Sequence, residues 1–461
     1  MPPSQTRGTF PVDPTKGNTA IAFPTQRKTF IKSSTFLLWG FVTAFFPRIF
    51  NTLLKFPSAI NFLHFLIVPF AGVVAIFNTK TKDKQQIAIS QALLIGLVAL
   101  FTINVASALL NKAGVINIVL EFLLLGEPLI MLLGITSLAM SPKNIERFQK
   151  WLIISAFSNL ILVYIQRYVL RYDLLRPISP WDLMQGVFYF TGAGHVVSAS
   201  VSLTFAFYYF TTVKPRPLWL RIAVVFAALG QIIISDTKQI FLVFLIAAVI
   251  FVLLKMTDIV KAIQYILLFI IGGSALYWAA FNLAPNTELK YWTNNLDLVQ
   301  DGLELKYSVF SIVHSYYHSS WNWLLGLGPG HTVGRLGGWM IRDYYDLLNP
   351  LGVSIHPLNK RIWEVVSANP LGDKSSLWSP LWGWAGIWGD LGFLGLGTYL
   401  YISFLAWRYF CVDDFSRYAL LSVWVFGAVF SQMEEPGYML FVMSLIGIRW
   451  HEHRCRDNKL S

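Results

Sequence analysis

Long apolar runs separated by short polar connections make up most of the chain. A helix needs about 20 apolar residues to cross the hydrocarbon core of a bilayer. Twelve runs approach or reach this length: 35–52, 57–78, 86–110, 115–139, 147–169, 187–212, 218–235, 239–256, 260–283, 383–408, 416–432 and 437–450. The first is interrupted by Pro47, and the last is short. The pattern predicts an all-α, polytopic integral membrane protein with about 12 transmembrane helices.

The polar parts of the chain divide it further. Residues 1–32 contain no apolar run near Met1, so we expect a disordered cytoplasmic tail rather than a cleaved signal peptide. Residues 33–284 hold the first nine predicted spans, 383–450 hold the last three, and 451–461 form a second tail. Between them lies one long polar segment, residues 285–382. Loops of this length are usually functional or disordered, and this one is too aromatic to indicate disorder.

Basic residues predict the orientation of the spans. With the amino terminus placed inside, 22 of the 36 Lys and Arg residues fall in inner segments. Seven fall in outer connections other than the polar segment. Because cytoplasmic loops carry an excess of Lys and Arg, we expect both termini inside and the polar segment outside.

Composition supports a membrane protein and disfavours other classes. The chain is 55% hydrophobic and 13% charged, whereas soluble domains carry roughly 25% charged residues. The net charge of +12 does not indicate nucleic-acid binding, because the basic residues lie mostly in connections between spans. Cys411 and Cys455 lack metal-ligand spacing, and we expect reduced thiols on the inner side. His314 and His318 are four residues apart but have no third ligand, so no metal site is expected.

Cations on the outer side suggest a site for a polyanion such as a diphosphate, because fixed cations stabilise developing negative charge. The candidates are Arg171, Lys238, Lys306 and Arg335. The alternative, strongest for Arg167 and Arg176, is that such side chains extend to lipid headgroups. Glu434 and Glu435 lie at the outer end of the last helical hairpin, where they could pair with these cations or position an acceptor hydroxyl.

The polar segment also holds four of the eight histidines and seven of the seventeen tryptophans. His331 and His356 are candidate general bases, because an imidazole titrates near working pH. Aromatic faces suit sugars, which makes Trp321, Trp323 and Trp378 candidate sugar-binding residues; an interfacial aromatic belt is the alternative. The glycine turn, Gly326–Gly330, could cradle phosphate through backbone N–H groups but lacks the lysine and hydroxyl of a Walker motif.

The arrangement resembles the superfamily of O-antigen ligases and polysaccharide polymerases, bacterial inner-membrane glycosyltransferases with about twelve spans and a large periplasmic loop before the tenth. The resemblance extends over nearly the whole chain. Four segments carry it: SDTKQIFLVFLIA around Lys238, Lys306 followed by WLLGLGPG, GVFYFTGAGH at residues 186–195, and GDLGFLG at residues 389–395, with Asp390 at the family's acidic position.

One departure concerns the base. The family's ligases place a His-Asn pair about nine residues before the acidic position, and here that stretch, residues 375–382, has no histidine. His356 with Asn359 is one substitute, His331 another, and a carboxylate such as Asp390 or Glu434 a third. Lysine also replaces arginine at Lys238 and Lys306, which keeps the charge but loses the bidentate fork.

The resemblance implies a metal-independent, inverting glycosyltransferase without cofactor, located in the inner membrane with both termini cytoplasmic. It would join a polyprenyl-diphosphate-linked oligosaccharide to a glycan acceptor. Its other implied partners are membrane lipid and chain-length regulators or export proteins. A polymerase is preferred to a ligase because the His-Asn pair is missing. Two alternatives are a flippase for lipid-linked oligosaccharides, which would be expected to show internal repeats and midplane charges, and a non-catalytic scaffold of an export system.

Overall fold

Every regular element in the described part of the chain is a helix. The structure is a computed structural model. It describes residues 33–79, 83–174, 180–189, 193–255, 296–369, 371–372 and 377–460, with isolated residues between 260 and 274. The predicted tail 1–32 and most of the predicted span 260–283 lie outside the described residues.

The helices of six residues or more are numbered here in chain order. They are α1 Ser33–Phe45, α2 Pro47–Leu53, α3 His64–Phe77, α4 Lys84–Asn111, α5 Val115–Ser137, α6 Pro142–Tyr168, α7 Gly194–Thr212, α8 Leu218–Ile234, α9 Lys238–Lys255, α10 Leu296–Ser315, α11 Ser320–Leu325, α12 Pro357–Ala368, α13 Gly383–Tyr409, α14 Asp414–Gly427 and α15 Pro436–Leu460. Shorter helical turns are Ser58–Phe62, Tyr172–Leu174, Pro180–Leu183, Leu336–Met340, Ile341–Asp343, Tyr345–Leu348, Asn349–Leu351 and Ser431–Glu434.

Six of the described helices are long and apolar enough to cross a membrane: α3 together with the turn before it, α4, α5, α6, α9 and α13. The pair α1 and α2 would make a seventh, although it bends by 47° at Pro47, as the sequence suggested. The described part of the chain is therefore all-helical and has several helices able to cross a membrane, which is consistent with a membrane protein. Helices also occupy the predicted runs at α7, α8, α14 and α15, but they do not meet the same criterion of length and apolarity.

Local signals explain where several helices begin and end. The Asp83 carboxylate accepts hydrogen bonds from the backbone N–H groups of Gln85 and Gln86 and so caps α4. Lys112 ends α4 with a left-handed φ of +54°. Ser141 caps α6, and Asp413 caps α14 in the same way. With these N-terminal caps, α4, α6 and α14 begin two to five residues before the predicted apolar runs.

The core of the bundle forms around α5, which packs against α3, α4 and α15. Lipid is as apolar as leucine, so close packing rather than escape from water must hold such helices together. The contacts are correspondingly tight. A Cβ added at Gly72 would lie 2.6 Å from the Ile130 side chain, and one added at Gly134 would lie 2.8 Å from the Leu37 side chain.

The polar segment differs from the expected loop because much of it is helical. In α10, Leu305, Val309 and Val313 repeat every four residues and are all buried, which is the pattern of a helix packed on one face. The segment covers one end of the bundle. Ser354 Oγ accepts a hydrogen bond (2.8 Å) from the N–H of Gly114, in the connection between α4 and α5.

Candidate functional site

The glycine turn lies directly against the beginning of α13. The backbone N–H groups of Leu327 and Gly328 donate to the carbonyl oxygens of Gly389 (2.8 Å) and Asp390 (3.1 Å). A Cβ added at Gly326, whose φ is +72°, would lie 2.4 Å from the Asp390 carbonyl group. The glycine turn and the GDLGFLG motif therefore contact each other directly. The N–H groups of Leu327 and Gly328 bind α13 and so are not available to a phosphate.

Helix α13 is broken where the turn meets it. Gly392 has φ +65° and ψ −164°, inside a helix that is otherwise continuous from Gly383 to Tyr409. Only glycine adopts this region readily. A Cβ there would lie 2.4 Å from the backbone of Leu324. Gly326 and Gly392 therefore allow the backbones of the polar segment and of a membrane helix to touch.

Asp390 is completely buried at this crossing. Its Oδ2 accepts a hydrogen bond from the Gly330 N–H (3.2 Å), and its carbonyl oxygen also accepts one from the Ser107 hydroxyl (2.8 Å). Its Oδ1 has no hydrogen-bond partner among the described residues. The Thr332 hydroxyl and the backbone N–H groups of Thr332 and His331 also interact with the carboxylate, so Asp390 holds the residues that follow the glycine turn.

Two further carboxylates, Glu121 and Glu434, interact electrostatically with Asp390. Both side chains are about 1% exposed, and each has one oxygen that lacks a hydrogen-bond partner within the described part of the chain. A Cβ added at Gly334 would lie 3.2 Å from Glu434 Oε2 and 3.6 Å from Asp390 Oδ2. Burial raises the pKa of Glu434 to about 8, and the nearby Asp390 acts in the same direction. We call Glu121, Asp390 and Glu434 the acidic cluster.

Arg335 supplies the cation beside this cluster. Its backbone N–H donates to Glu434 Oε2 (2.5 Å), and its guanidinium forms an ion pair with Glu435. The guanidinium also lies 4.5 Å from the centre of the Trp339 ring. Burial lowers the pKa of Arg335, an effect that Glu435 opposes. Of the two roles that the sequence suggested for Glu434 and Glu435, pairing with a cation applies to Glu435, which binds the Arg335 guanidinium, whereas Glu434 binds the Arg335 backbone N–H.

His331 is held by hydrogen bonds at both ring nitrogens. Nδ1 donates to the Leu327 carbonyl oxygen (2.8 Å), so Nε2 accepts from the Ser354 hydroxyl (2.8 Å). Burial lowers the pKa of His331 to about 4. The imidazole is therefore neutral at neutral pH, and its Nε2 lone pair already accepts a hydrogen bond from Ser354. Both features make His331 a weak base.

His356 and Asn359 act as the cap of α12. His356 Nδ1 accepts from the Leu358 N–H (3.2 Å), and Asn359 Oδ1 accepts from the His356 N–H (2.9 Å). Asn359 Nδ2 also contacts the carbonyl oxygens of Gly330, Thr332 and Gly337 at 3.2–3.3 Å. These are structural bonds, and a catalytic role for His356 stays a prediction.

The other three predicted cations have different partners. Lys306 is buried, and its ammonium donates to the carbonyl oxygens of Ser379 (2.8 Å) and Val429 (2.5 Å). Lys238 pairs with Asp236 (2.8 Å), and Arg171 with Asp173 (3.2 Å). Lys238 and Arg171 thus contact other parts of the chain than Arg335 does, whereas Val429 lies in the same connection between α14 and α15 as Glu434. The roles of all three cations in binding a diphosphate stay predictions.

The three candidate sugar-binding tryptophans occupy two places. Trp378 packs against Gly302 of α10, where an added Cβ would lie 2.5 Å from the ring. Trp321 and Trp323 belong to α11, and Trp323 stacks on Phe393 of α13 with centroids 6.0 Å apart. Both α11 rings are exposed. The structure therefore does not bring the three rings into one surface.

Sequence reasoning missed Glu121, Asn117 and Ser354. Asn117 Nδ2 donates to the carbonyl oxygens of Pro329 and Ser354 (3.1 Å each), and its Oδ1 accepts from the Ser354 N–H (2.9 Å). Asn117 thereby ties the glycine turn to α5. A polar residue inside an apolar run was the available signal, because such residues are costly in a membrane.

No group of three or more His, Cys, Asp or Glu side chains within the described ranges is arranged to hold a metal ion. No protein-family model matches the chain, and no curated protein is similar to it in sequence. The functional interpretation therefore depends on the chemistry of the acidic cluster and Arg335.

Proposed function

We propose that the protein is a membrane glycosyltransferase of the polysaccharide-polymerase type, which transfers an oligosaccharide from polyprenyl diphosphate to a glycan acceptor. The observation that carries this proposal is that Arg335, in the polar segment, contacts both Glu434 and Glu435, and that Glu434 lies beside the buried Asp390. A fixed guanidinium suits a diphosphate, and a carboxylate beside it suits the removal of a proton from a hydroxyl.

In the proposed reaction the acceptor hydroxyl oxygen attacks the anomeric carbon with inversion. The bond between that carbon and the diphosphate oxygen breaks, and polyprenyl diphosphate leaves with the bonding pair. Arg335 stabilises the developing negative charge, while the hydroxyl proton passes to Glu434. We assign the base to Glu434 rather than His331 because its pKa of about 8 lies near working pH, whereas that of His331 is about 4.

The proposal includes a topology of about twelve spans, with both termini cytoplasmic and the polar segment on the periplasmic side of a bacterial inner membrane. Contacts of the polar segment support a common side for three connections. Gly114 contacts Ser354, Glu434 contacts Arg335, and the Arg48 guanidinium lies 5.5 Å from the centre of the Tyr344 ring. Each connection is one that the Lys and Arg distribution assigns to the outside.

Purified protein in proteoliposomes, given a defined polyprenyl-diphosphate-linked repeat unit, tests the proposal by the appearance of longer glycans on a gel. Glu434→Gln should lower the rate about 100-fold, the lower end of what a general base contributes. Arg335→Lys should lower it on a similar scale, since lysine lacks the bidentate fork. Thermal stability of each variant is measured in parallel, so that a folding defect is recognised.

The matched controls are Arg361→Lys and Glu364→Gln. These residues form an exposed ion pair (3.8 Å) on α12, in the same polar segment. Both control variants should keep full activity. Equal rates for wild type, Glu434→Gln and Arg335→Lys would refute the assignment. Movement of the lipid-linked oligosaccharide across the bilayer without glycan growth would instead indicate the flippase, and transfer only to a non-growing acceptor would indicate a ligase.

A further inference from the structure

Helix α10 carries a second apolar stripe, which stays partly exposed although Tyr307 and Phe310 touch the Trp382 ring along one edge. Leu303, Tyr307 and Phe310 are 45%, 55% and 42% exposed, and His314 continues the same line one turn later. The spacing of four, three and four residues places all four side chains on one face of a helix. This stripe is distinct from the buried one that attaches α10 to the protein.

The neighbouring exposed side of α10 is polar. It consists of Gln300, Glu304, Ser311 and Ser315, and Gln300 Nε2 donates to Glu304 (3.0 Å). The helix thus has three faces: buried, exposed apolar and exposed polar. A helix with an exposed apolar face and a polar one is the pattern of an element that lies in the surface of a bilayer.

The apolar stripe continues without a gap onto α13. Phe310 contacts Trp388 (centroids 5.7 Å apart), Trp388 contacts Trp323 (6.4 Å), and Trp323 stacks on Phe393 (6.0 Å, 10° between ring planes). Trp323 and Phe393 are 41% and 51% exposed. A row of aromatic rings therefore joins the polar segment to a membrane helix.

Phe393 is also the first member of the outward stripe of α13, which continues through Leu400 and Phe404, 47% and 55% exposed. The part of α13 from Phe393 to Tyr409 rises about 26 Å, close to the ~30 Å of a hydrocarbon core. If this part crosses the core, Phe393 and the Trp323 ring stacked on it lie at the membrane surface, where tryptophan is favoured.

We propose that α10 and α11 lie in the outer surface of the bilayer, with Leu303, Tyr307, Phe310 and Trp323 in contact with lipid. The occupant of this face is membrane lipid because the face is continuous with the outward stripe of a candidate span. Gln300 and Glu304 then face water. Trp323 is a membrane anchor in this arrangement rather than a platform for sugar. The inference depends on the membrane character of the chain and is independent of the glycosyltransferase proposal.

Site-directed spin labelling of the full chain tests this inference. Cys411 and Cys455 are replaced by serine, and single cysteines are placed at Phe310 or at the adjacent Ser311, both exposed. The proteins are reconstituted in zwitterionic liposomes without any other protein. Collisions with oxygen, which concentrates in lipid, are compared with collisions with a water-soluble nickel chelate.

The oxygen-to-nickel ratio should be several-fold higher at position 310 than at position 311. The neighbouring pair Leu303 and Glu304 should repeat the difference, which protects the test against one poorly folding variant. Equal nickel accessibility at 310 and 311 would show that the stripe faces water. Protection of position 310 from both reagents would show that protein covers it. Either result would overturn the proposal, while the polymerisation assay would be unaffected by it.

Discussion

Replacement of Gly326 by alanine tests the contact on which the candidate site is built. Gly326 has φ +72° and ψ −158°, a region that is essentially reserved for glycine. An added Cβ would also meet the Asp390 carbonyl group at 2.4 Å, and backbone on both sides leaves little room to adjust. Gly326→Ala should therefore be destabilised both by backbone strain and by a steric clash with α13.

Two other glycines separate these effects. Gly352 has φ +82°, but nothing lies within 4 Å of its added Cβ, so Gly352→Ala has strain alone. Gly397 is inside α13 and also has open space, so Gly397→Ala should gain helix propensity. We expect a loss of about 1–2 kcal/mol at Gly352, a gain of roughly 1 kcal/mol at Gly397, and a loss of about 2–5 kcal/mol at Gly326 from strain plus overpacking.

The natural thiol at Cys411 provides the assay. It is 2% exposed, so a thiol-reactive dye reaches it only when the protein opens. With Cys455 replaced by serine, the temperature of dye reaction in detergent should be lowest for Gly326→Ala, intermediate for Gly352→Ala and highest for Gly397→Ala. Equal melting of the Gly326 and Gly352 variants would show that the turn and α13 are not in the close contact described here.

Three further outcomes are expected. Because a base must be ionised and burial raises the pKa of Glu434 to about 8, glycan growth should increase with pH up to about 8, and the residual activity of Glu434→Gln should lack this increase. Burial lowers the pKa of Lys306 from 10.5 to about 7. Between pH 7 and 10.5 the unfolded state therefore binds more protons than the folded state, so the stability of the fold should rise with pH. The melting temperature of Lys306→Met should lack this contribution. Single cysteines at Lys112 and Lys360 should react with an impermeant reagent from the periplasmic side and one at Lys84 from the cytoplasmic side; reaction of Lys112 and Lys360 from opposite sides would contradict the fold.

Helix positions were largely predictable because their signals are local. The apolar run 115–139 corresponds to α5 at Val115–Ser137, and the run 218–235 to α8 at Leu218–Ile234. The break at Gly392 was not predicted, since a glycine-rich apolar run looks continuous along the sequence. The helices of the polar segment were also missed, because each buries only a narrow face. In α10 this face consists of Leu305, Val309 and Val313, set among charged and polar residues.

The site was predictable only in pieces. Asp390, the glycine turn and the Glu434–Glu435 pair each stood out by composition, but more than 40 residues separate each from the next along the chain. Their meeting depends on how α13 and the last hairpin pack, which local patterns do not encode. Asn117 is an example. A single polar residue in an apolar run does not reveal its partner, yet its side-chain amide makes three of the hydrogen bonds that hold the polar segment.

The break in α13 explains why the polar segment and the bundle depend on each other. In a continuous helix the carbonyl oxygens of Gly389 and Asp390 would accept bonds from within the helix. Here they accept the N–H groups of Leu327 and Gly328. Backbone groups buried inside a protein must be satisfied by other protein groups, because no water reaches them. The glycine turn therefore completes the bonding of a membrane helix, and the same bonds hold Asp390 beside Glu434. A change that displaces the turn would take the Leu327 donor from the Gly389 carbonyl group, leave the Asp390 carbonyl group with Ser107 alone, and remove the Gly330 N–H from the Asp390 carboxylate.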